Sequence, residues 1–231
     1  MKNIINRIRN CKENCYKNRY AFDLKTSGGR IITKEELLLA QPLIDDWRKQ
    51  KILLISQAPS KQAFVDGELS SLENNFLASF LLPKIFPLLS APDEIKLFRK
   101  KVFWLHTSNC YPFVRSQKRK RDRMPDLRCA NKYMGEVIDR LHPEFIILMG
   151  GSATKYFCND IRKGINSQKS YPSLEEILSW QYKRKSYLKI GSKTNPEKKY
   201  RSVVVPHAAD WDKLDVVARY GYMRVFEMIK D

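Results

Sequence analysis

At 231 residues, 43% of them hydrophobic, the chain is long enough for one domain with a full hydrophobic core and needs no disulfide framework to hold it. Lys and Arg number 43 against 25 Asp and Glu, a net charge of +18, and such a field attracts polyanions, nucleic acid first among them. No segment approaches the roughly 18 to 20 unbroken apolar residues of a membrane span, and the N-terminus, Met1-Lys2-Asn3-Ile4-Ile5, has no apolar signal core. The expected setting is therefore cytoplasmic and nucleoid-associated, with no membrane partner, and the five cysteines are expected free or metal-bound rather than paired.

In chain order, residues 1–50 form a helical, cysteine-bearing segment carrying Cys11 and Cys15, ahead of a core over 51–215. Four short, continuous apolar runs predict strands covered on both faces: Ile52–Ser56, Val102–His106, Phe145–Met149 and 202–205. Between them, helical spacing predicts a helix over 72–86 and another over 129–141, stopped by His142-Pro143. Gly150-Gly151-Ser152 opens a further helix over 153–158. The stretch 183–201, rich in Lys, Tyr, Ser, Gly and Pro, predicts an irregular or hairpin insertion before the last strand. A C-terminal helix closes the chain over 216–231. Strand, crossover helix and strand in this rhythm predict a single α/β domain, a three-layer α/β/α sandwich around a four-stranded parallel sheet.

Two polar clusters carry the chemistry. Ser56-Gln57-Ala58-Pro59-Ser60 follows the first strand, and Pro206-His207-Ala208-Ala209-Asp210 follows the last. Loops at the carboxyl ends of parallel strands converge on one crevice, so the two clusters are expected to face each other. His207 there suits hydrogen-bond donation to a developing anion, or acid–base work. Gln57 suits holding a water or a base edge. His106 and Asn109, after the second strand, are placed at the same mouth, where they either read a heteroaromatic edge or cap the turn.

Cys11 and Cys15, with Cys110 and Cys129, make two thiol pairs, a minimal set for an iron–sulfur cluster or a structural zinc; the alternative is unrelated thiols. Cys158 is expected in the core. Arg115, Lys118, Arg119, Lys120, Arg121 and Arg123 form the densest positive run, suited to neutralising phosphates without reading sequence.

These pieces together resemble the uracil-DNA glycosylase superfamily, in particular its iron–sulfur branches. Ser56-Gln57-Ala58-Pro59-Ser60 resembles the family's Gly-Glu/Gln-Ala-Pro-Gly/Ser motif, and Val205-Pro206-His207-Ala208 resembles its His-Pro-Ser motif. The stretch from Val102 to Pro112 resembles the strand leading to a cluster cysteine, Cys110. Cys129 resembles the family's second cluster cysteine of this pair, and the run from Pro143 to Gly150 resembles its Pro-x-hydrophobic-x-Gly strand. The likeness covers about residues 50 to 215, with the motifs in order.

The resemblance implies a monofunctional DNA glycosylase that flips a damaged or modified base and hydrolyses its N-glycosidic bond. His207 and Gln57 become the catalytic pair, and Ala58, Pro59, Ser60, His106, Asn109 and Leu69 the base-contacting set. Trp211, Lys213 and Leu214 join the basic run in contacting DNA, Trp211 and Leu214 as an apolar wedge. Cys11, Cys15, Cys110 and Cys129 become ligands of a [4Fe-4S] cluster, and the protein acts as a monomer. Four departures stand out. His106 occupies the place of the uracil-reading Asn, Asp66-Gly67-Glu68-Leu69 that of a stacking Phe, and His207-Ala208-Ala209 that of His-Pro-Ser. The first cysteine pair is also one residue wider than usual. They imply a base other than plain uracil, including the hypermodified bases of phage DNA and a role in phage defence. The alternatives are a uracil-specific repair glycosylase and an inert DNA-binding protein of the same fold.

Overall fold

The computed structural model describes residues 1–9, 11, 47–58, 97–98, 100–109, 127–207 and 213–230. Outside these lie the helix expected over 72–86, the basic run 115–123, and Pro59, Ser60, Leu69, Cys15, Cys110 and Trp211. Along the described chain run α1 (Lys2–Arg9), β1 (Ile52–Ser56), β2 (Val102–His106), α2 (Arg128–Leu141), β3 (Phe145–Met149) and α3 (Gly150–Tyr156). Then come α4 (Cys158–Ile165), α5 (Leu174–Arg184), β4 (Leu188–Gly191), β5 (Lys199–Val205) and α6 (Val216–Lys230).

The sheet has five strands in the order β2-β1-β3-β5-β4. The four expected strands are parallel, in registers such as Leu54↔Trp104, Leu54↔Ile147 and Ile147↔Val203. The expectation of four is corrected by β4, which pairs antiparallel with β5, Leu188 opposite Ser202 and Ile190 opposite Tyr200. Its cause is local. β5 starts three residues earlier than its apolar run, and Leu188 and Ile190 alternate inward around exposed Lys189, enough to cover that extension. Beyond Ser202 the outer edge of β5 has no strand partner among the described residues. There the Gln181 carboxamide stands in for a peptide group: its Nε2 donates to Val204 O at 2.9 Å, and its Oε1 accepts from Val204 N at 2.7 Å. Both backbone groups of a buried residue are thereby satisfied.

Strand alternation sends two sets of side chains to opposite faces. Leu53, Ile55, Phe103, Leu105, Ile146, Leu148 and Val204 pack with α1 to α5. Ile52, Leu54, Val102, Trp104, Ile147, Val203 and Val205 pack with Phe98 and with Tyr222, Val225, Met228 and Ile229 of α6. Helices thus cover both faces, the three-layer arrangement expected. α1 buries Ile4, Ile5 and Ile8 and is tied to α2 by Arg7 Nη1 to Glu136 Oε2 at 2.8 Å. α2 ends as expected at Leu141, with His142 in the left-handed region ahead of Pro143.

The helix expected over 153–158 is two helices instead. Phe157, 3% exposed, breaks the chain between α3 and α4, and its N–H returns to Thr154 O at 3.2 Å. Cys158 is correspondingly half-buried rather than in the core. α5, for which no element was expected, starts with Ser173 accepting from Glu176 N at 3.1 Å, half of a capping box. Gly221 lets α6 lie against the sheet: a Cβ there would stand 2.5 Å from Val204 O.

Candidate functional site

The carboxyl ends of β1, β3 and β5, consecutive in the sheet, release Gln57, Gly150-Gly151-Ser152 and Pro206-His207 onto one edge. At the first end, hydrogen bonding continues past the strands. Thr107 N donates to Ser56 O at 2.8 Å, and Ser108 N donates to Gln57 O at 3.0 Å. Thr107 Oγ1 adds a second donor to Gln57 O at 2.8 Å. The Gln57 side chain is fixed as well, its Oε1 accepting from Ser152 Oγ at 3.2 Å. Gly150, at φ +78°, makes the sharp turn from β3 into α3 that brings Ser152 there, a conformation a side chain would strain. Gln57 and Ala58 are both half-buried.

At the third end, Pro206 is buried and His207 exposed. Tyr222 of α6 donates its hydroxyl to Pro206 O at 2.6 Å, which fixes the peptide that carries His207. The two expected catalytic side chains are thus released on the same edge, one strand apart. Lys213 is exposed, and Leu214 is half-buried against the α6 side of the core.

Beneath this edge lies a buried polar network. Trp104 Nε1 donates to Ser56 Oγ at 2.8 Å, and Ser56 Oγ lies 2.7 Å from His106 Nδ1. Burial pushes the His106 imidazole down to about 3, so the ring is neutral at physiological pH. Asn109 is buried and directed inward. Its Oδ1 accepts from His106 N at 3.4 Å, while its own N and Nδ2 each lie 3.4 Å from Cys129 Sγ, to which they donate. Burial pushes the Cys129 thiol up, the two Asn109 donors work against that shift, and nearby Cys11 adds to it. Tyr133 bridges the same place: burial, then a hydrogen bond with Cys11, raises its phenol, and its hydroxyl donates to Arg7 O at 3.2 Å. Cys11, hydrogen-bonded to Tyr133 and acting electrostatically on Cys129, therefore lies in the neighbourhood of Cys129 despite their distance in sequence. Among the described residues no group of three or more His, Cys, Asp or Glu side chains gathers in a way that would hold a metal ion.

Ser152, Tyr222, Trp104 and Thr107 position this site without having been singled out from the sequence. Ser152 stood only as part of a helix opener, and nothing local marks the other three, whose partners are set by the register of the sheet and the seat of α6.

An open, mostly parallel sheet covered on both faces, with polar loops gathered at its carboxyl edge, defines a doubly wound α/β protein, a plan in which ligands generally bind at the carboxyl ends of the strands. The family model for the uracil DNA glycosylase superfamily matches residues 45–210, and the chain belongs to that superfamily. Its members are glycosylases, hydrolases of N-glycosyl bonds that act on DNA. Comparison with curated proteins returned no match. Among the described residues no helix is long and apolar enough to cross a membrane.

Proposed function

We propose that this protein is a monofunctional DNA glycosylase that excises a flipped damaged or modified base and leaves an abasic site. The observation that carries the reading is the release of Gln57 and His207 on one sheet edge, each held by hydrogen bonds from behind. The glycosidic bond breaks with its electron pair leaving on the base. His207 donates a hydrogen bond to the base anion, an interaction worth about 10²–10³ in rate for one well-placed donor. Gln57, its Oε1 engaged by Ser152, offers its amide N–H to the attacking water or the base. The water oxygen bonds to C1′ of the oxocarbenium-like sugar and one of its protons passes to the departing base. Ala58, Pro59, Ser60, Leu69 and His106 surround the base, while Asn109 braces the turn beneath it. Trp211 and Leu214 supply the apolar wedge, and Lys213 with the run 115–123 holds phosphates. The protein acts as a monomer on cellular or phage DNA.

The test is incubation with duplexes carrying uracil, hypoxanthine, 5-hydroxymethylcytosine or its glucosylated form, followed by alkaline strand cleavage. Failure on every substrate, or full activity in His207→Ala, defeats the reading. A second reading is favoured by one observation: the family's uracil-reading Asn and its motif Ser are replaced by His106 and Ala209. It is an inert DNA-binding protein, and salt-sensitive binding without base release would select it.

We also propose that Cys11, Cys15, Cys110 and Cys129 hold a [4Fe-4S] cluster. What supports the reading is that Cys11 lies near enough to act electrostatically on Cys129, that Asn109 N and Nδ2 donate to Cys129 Sγ at 3.4 Å, the kind of N–H a ligating sulfur accepts, and that Cys110 follows Asn109 in sequence. A bound cluster would supply a covalent tie between the N-terminal segment and α2, with no part in the hydrolysis. Iron and sulfide analysis with a visible absorption spectrum checks this; a colourless, metal-free and stable protein rejects it.

A further inference from the structure

We propose that the α6 face of the sheet carries a second DNA-binding surface, on which Lys185, Lys189, Arg201 and Arg224 hold the phosphodiester backbone without reading bases. The inference goes beyond the glycosylase reading above and does not depend on base release.

The surface is built across three strands. The registers Phe145↔Arg201 and Arg201↔Lys189 set one residue each of β3, β5 and β4 in a row. Directly opposed residues share a face, and Leu188 and Ile190, on either side of Lys189, belong to the core under α1 to α5. The row therefore lies on the α6 face. Arg201 Cζ stands 4.1 Å from the centre of the Phe145 ring. The Phe145 and Tyr187 rings are 5.8 Å apart, and Arg224 Cζ stands 4.3 Å from the Tyr187 ring centre. Lys185, just past α5, places Nζ 3.6 Å from the Tyr182 ring centre and 4.4 Å from that of Tyr220. Burial raises the Tyr187 phenol, and Arg224, Glu227, Arg201 and Tyr220 all act on it electrostatically, which joins the two stacks in one patch.

The patch carries a charge arrangement that folding alone disfavours. Lys189 and Arg201 are exposed and stand directly opposite each other, and like charges so placed cost stability. Among the described residues Arg224 alone of the four cations has a carboxylate partner, Glu227 Oε2 at 2.6 Å. Aromatic faces hold Lys185 and Arg201 in place without neutralising them, so their N–H groups stay available to an anion. Each of the four rings already carries a cation, and the surface offers charge rather than a stacking platform for bases. Arg201 lies four residues before Val205, about 13 Å back along the strand at about 3.3 Å per residue. Backbone contacts here are therefore separate from those at the carboxyl edge. The net charge of +18 and membership in a superfamily that acts on DNA select nucleic acid among polyanions.

An undamaged duplex of arbitrary sequence tests this apart from catalysis. Acetylation of the wild-type protein, read residue by residue by mass spectrometry, should fall several-fold at Lys185 and Lys189 when the duplex is added. Phenylglyoxal should report the same for Arg201. The triple variant Lys185→Gln, Lys189→Gln, Arg201→Gln should bind every duplex about 10-fold or more weakly and lower the salt slope by about 2 to 3. Lys189→Glu covers the case in which the triple variant does not fold, since no ring or ion-pair contact is found for Lys189 among the described residues. It should lower the slope by about 1 or more.

Reactivity at Lys185 and Lys189 unchanged by DNA, or an unchanged salt slope in the variants, overturns the assignment. Protection by phosphatidylserine vesicles and not by the duplex overturns it in favour of a membrane surface. Base release plays no part in these readouts. Protection here with no base released from any duplex defeats the glycosylase reading alone, and base release with these residues still reactive defeats this proposal alone.

Discussion

The two strand ends that would flank the proposed crevice are built differently. On the β1 wall, Gln57 is held by three neighbours: Ser108 and Thr107 on its carbonyl and Ser152 on its side chain, with His106 and Ser56 buried below. On the β5 wall, His207 is exposed, and its approach is fixed from behind by the Tyr222 hydroxyl on Pro206 O. The first wall takes its order from strand ends that are hydrogen-bonded to each other. The second takes it from a helix lying against the sheet, and depends on how closely that helix sits. On the proposed reading, a preorganised wall beside the base and a more open wall carrying His207 as the anion-stabilising donor suit a pocket that must admit a whole nucleotide before it acts.

The contrast breaks most visibly at His207. His207→Ala should lower single-turnover base release by about 10²–10³ while leaving the thermal midpoint within a degree or two, because the side chain is exposed. Unchanged release would place the anion-stabilising donor elsewhere. Next in size is the seat of α6. Gly221→Ala should destabilise the fold by about 1–3 kcal/mol in urea denaturation and slow release, since its Cβ must push away from Val204 O. Tyr222→Phe should do less, about 1 kcal/mol, with a rate loss and no change in base preference.

Gln181→Leu should cost about 2–4 kcal/mol by leaving both backbone groups of Val204 unpaired, yet leave release per folded molecule nearly unaltered. A large fall in its rate constant would mean that the β5 edge, and not α6 alone, sets the second wall. On the first wall the smallest effect is expected from Ser152→Ala, a several-fold rate loss as the Gln57 amide becomes free to turn.

His106 adds a pH signature. Its folded-state value, pushed down to about 3 from 6.5 by burial, means that the unfolded chain binds its proton first as pH falls. Stability is therefore unaffected by this group above about pH 6.5, and is lost by about 1.4 kcal/mol for each unit of descent toward 3. Denaturation of wild type and His106→Gln across that window should show the flatter acid limb in the variant.

How much of this was legible can be seen element by element. β1, β2, β3 and the apolar half of β5 announce themselves because a strand covered on both faces must be a continuous apolar run. α2 shows its stripe and its His142-Pro143 stop just as plainly. β4 is legible only in part: the stretch 183–201 predicted an irregular or hairpin insertion, and β4 forms its hairpin with β5, but four residues with two inward side chains, set among lysines, carry too little pattern to join the sheet as a fifth strand until β5 lies beside them. α5 was hidden because its buried face includes Gln181, a residue whose place in a core makes sense only against an unpaired strand edge. The same holds at the site. The order of the motifs and the positions of Gln57 and His207 follow from the residues, since strand ends in a parallel sheet converge by topology.

The chain alone thus determined the layered α/β plan, the basic character, the family likeness and the two clusters that flank the crevice. Those follow from local apolar patterning and from residue chemistry, which travel with the sequence. Tertiary structure decided the partners: Ser152 on Gln57, Tyr222 behind His207, Trp104 and Ser56 on His106, and Asn109 turned toward Cys129 rather than outward. The physical reason is that a hydrogen bond between residues far apart in sequence exists only once strand register and helix seating have brought them within about 3 Å.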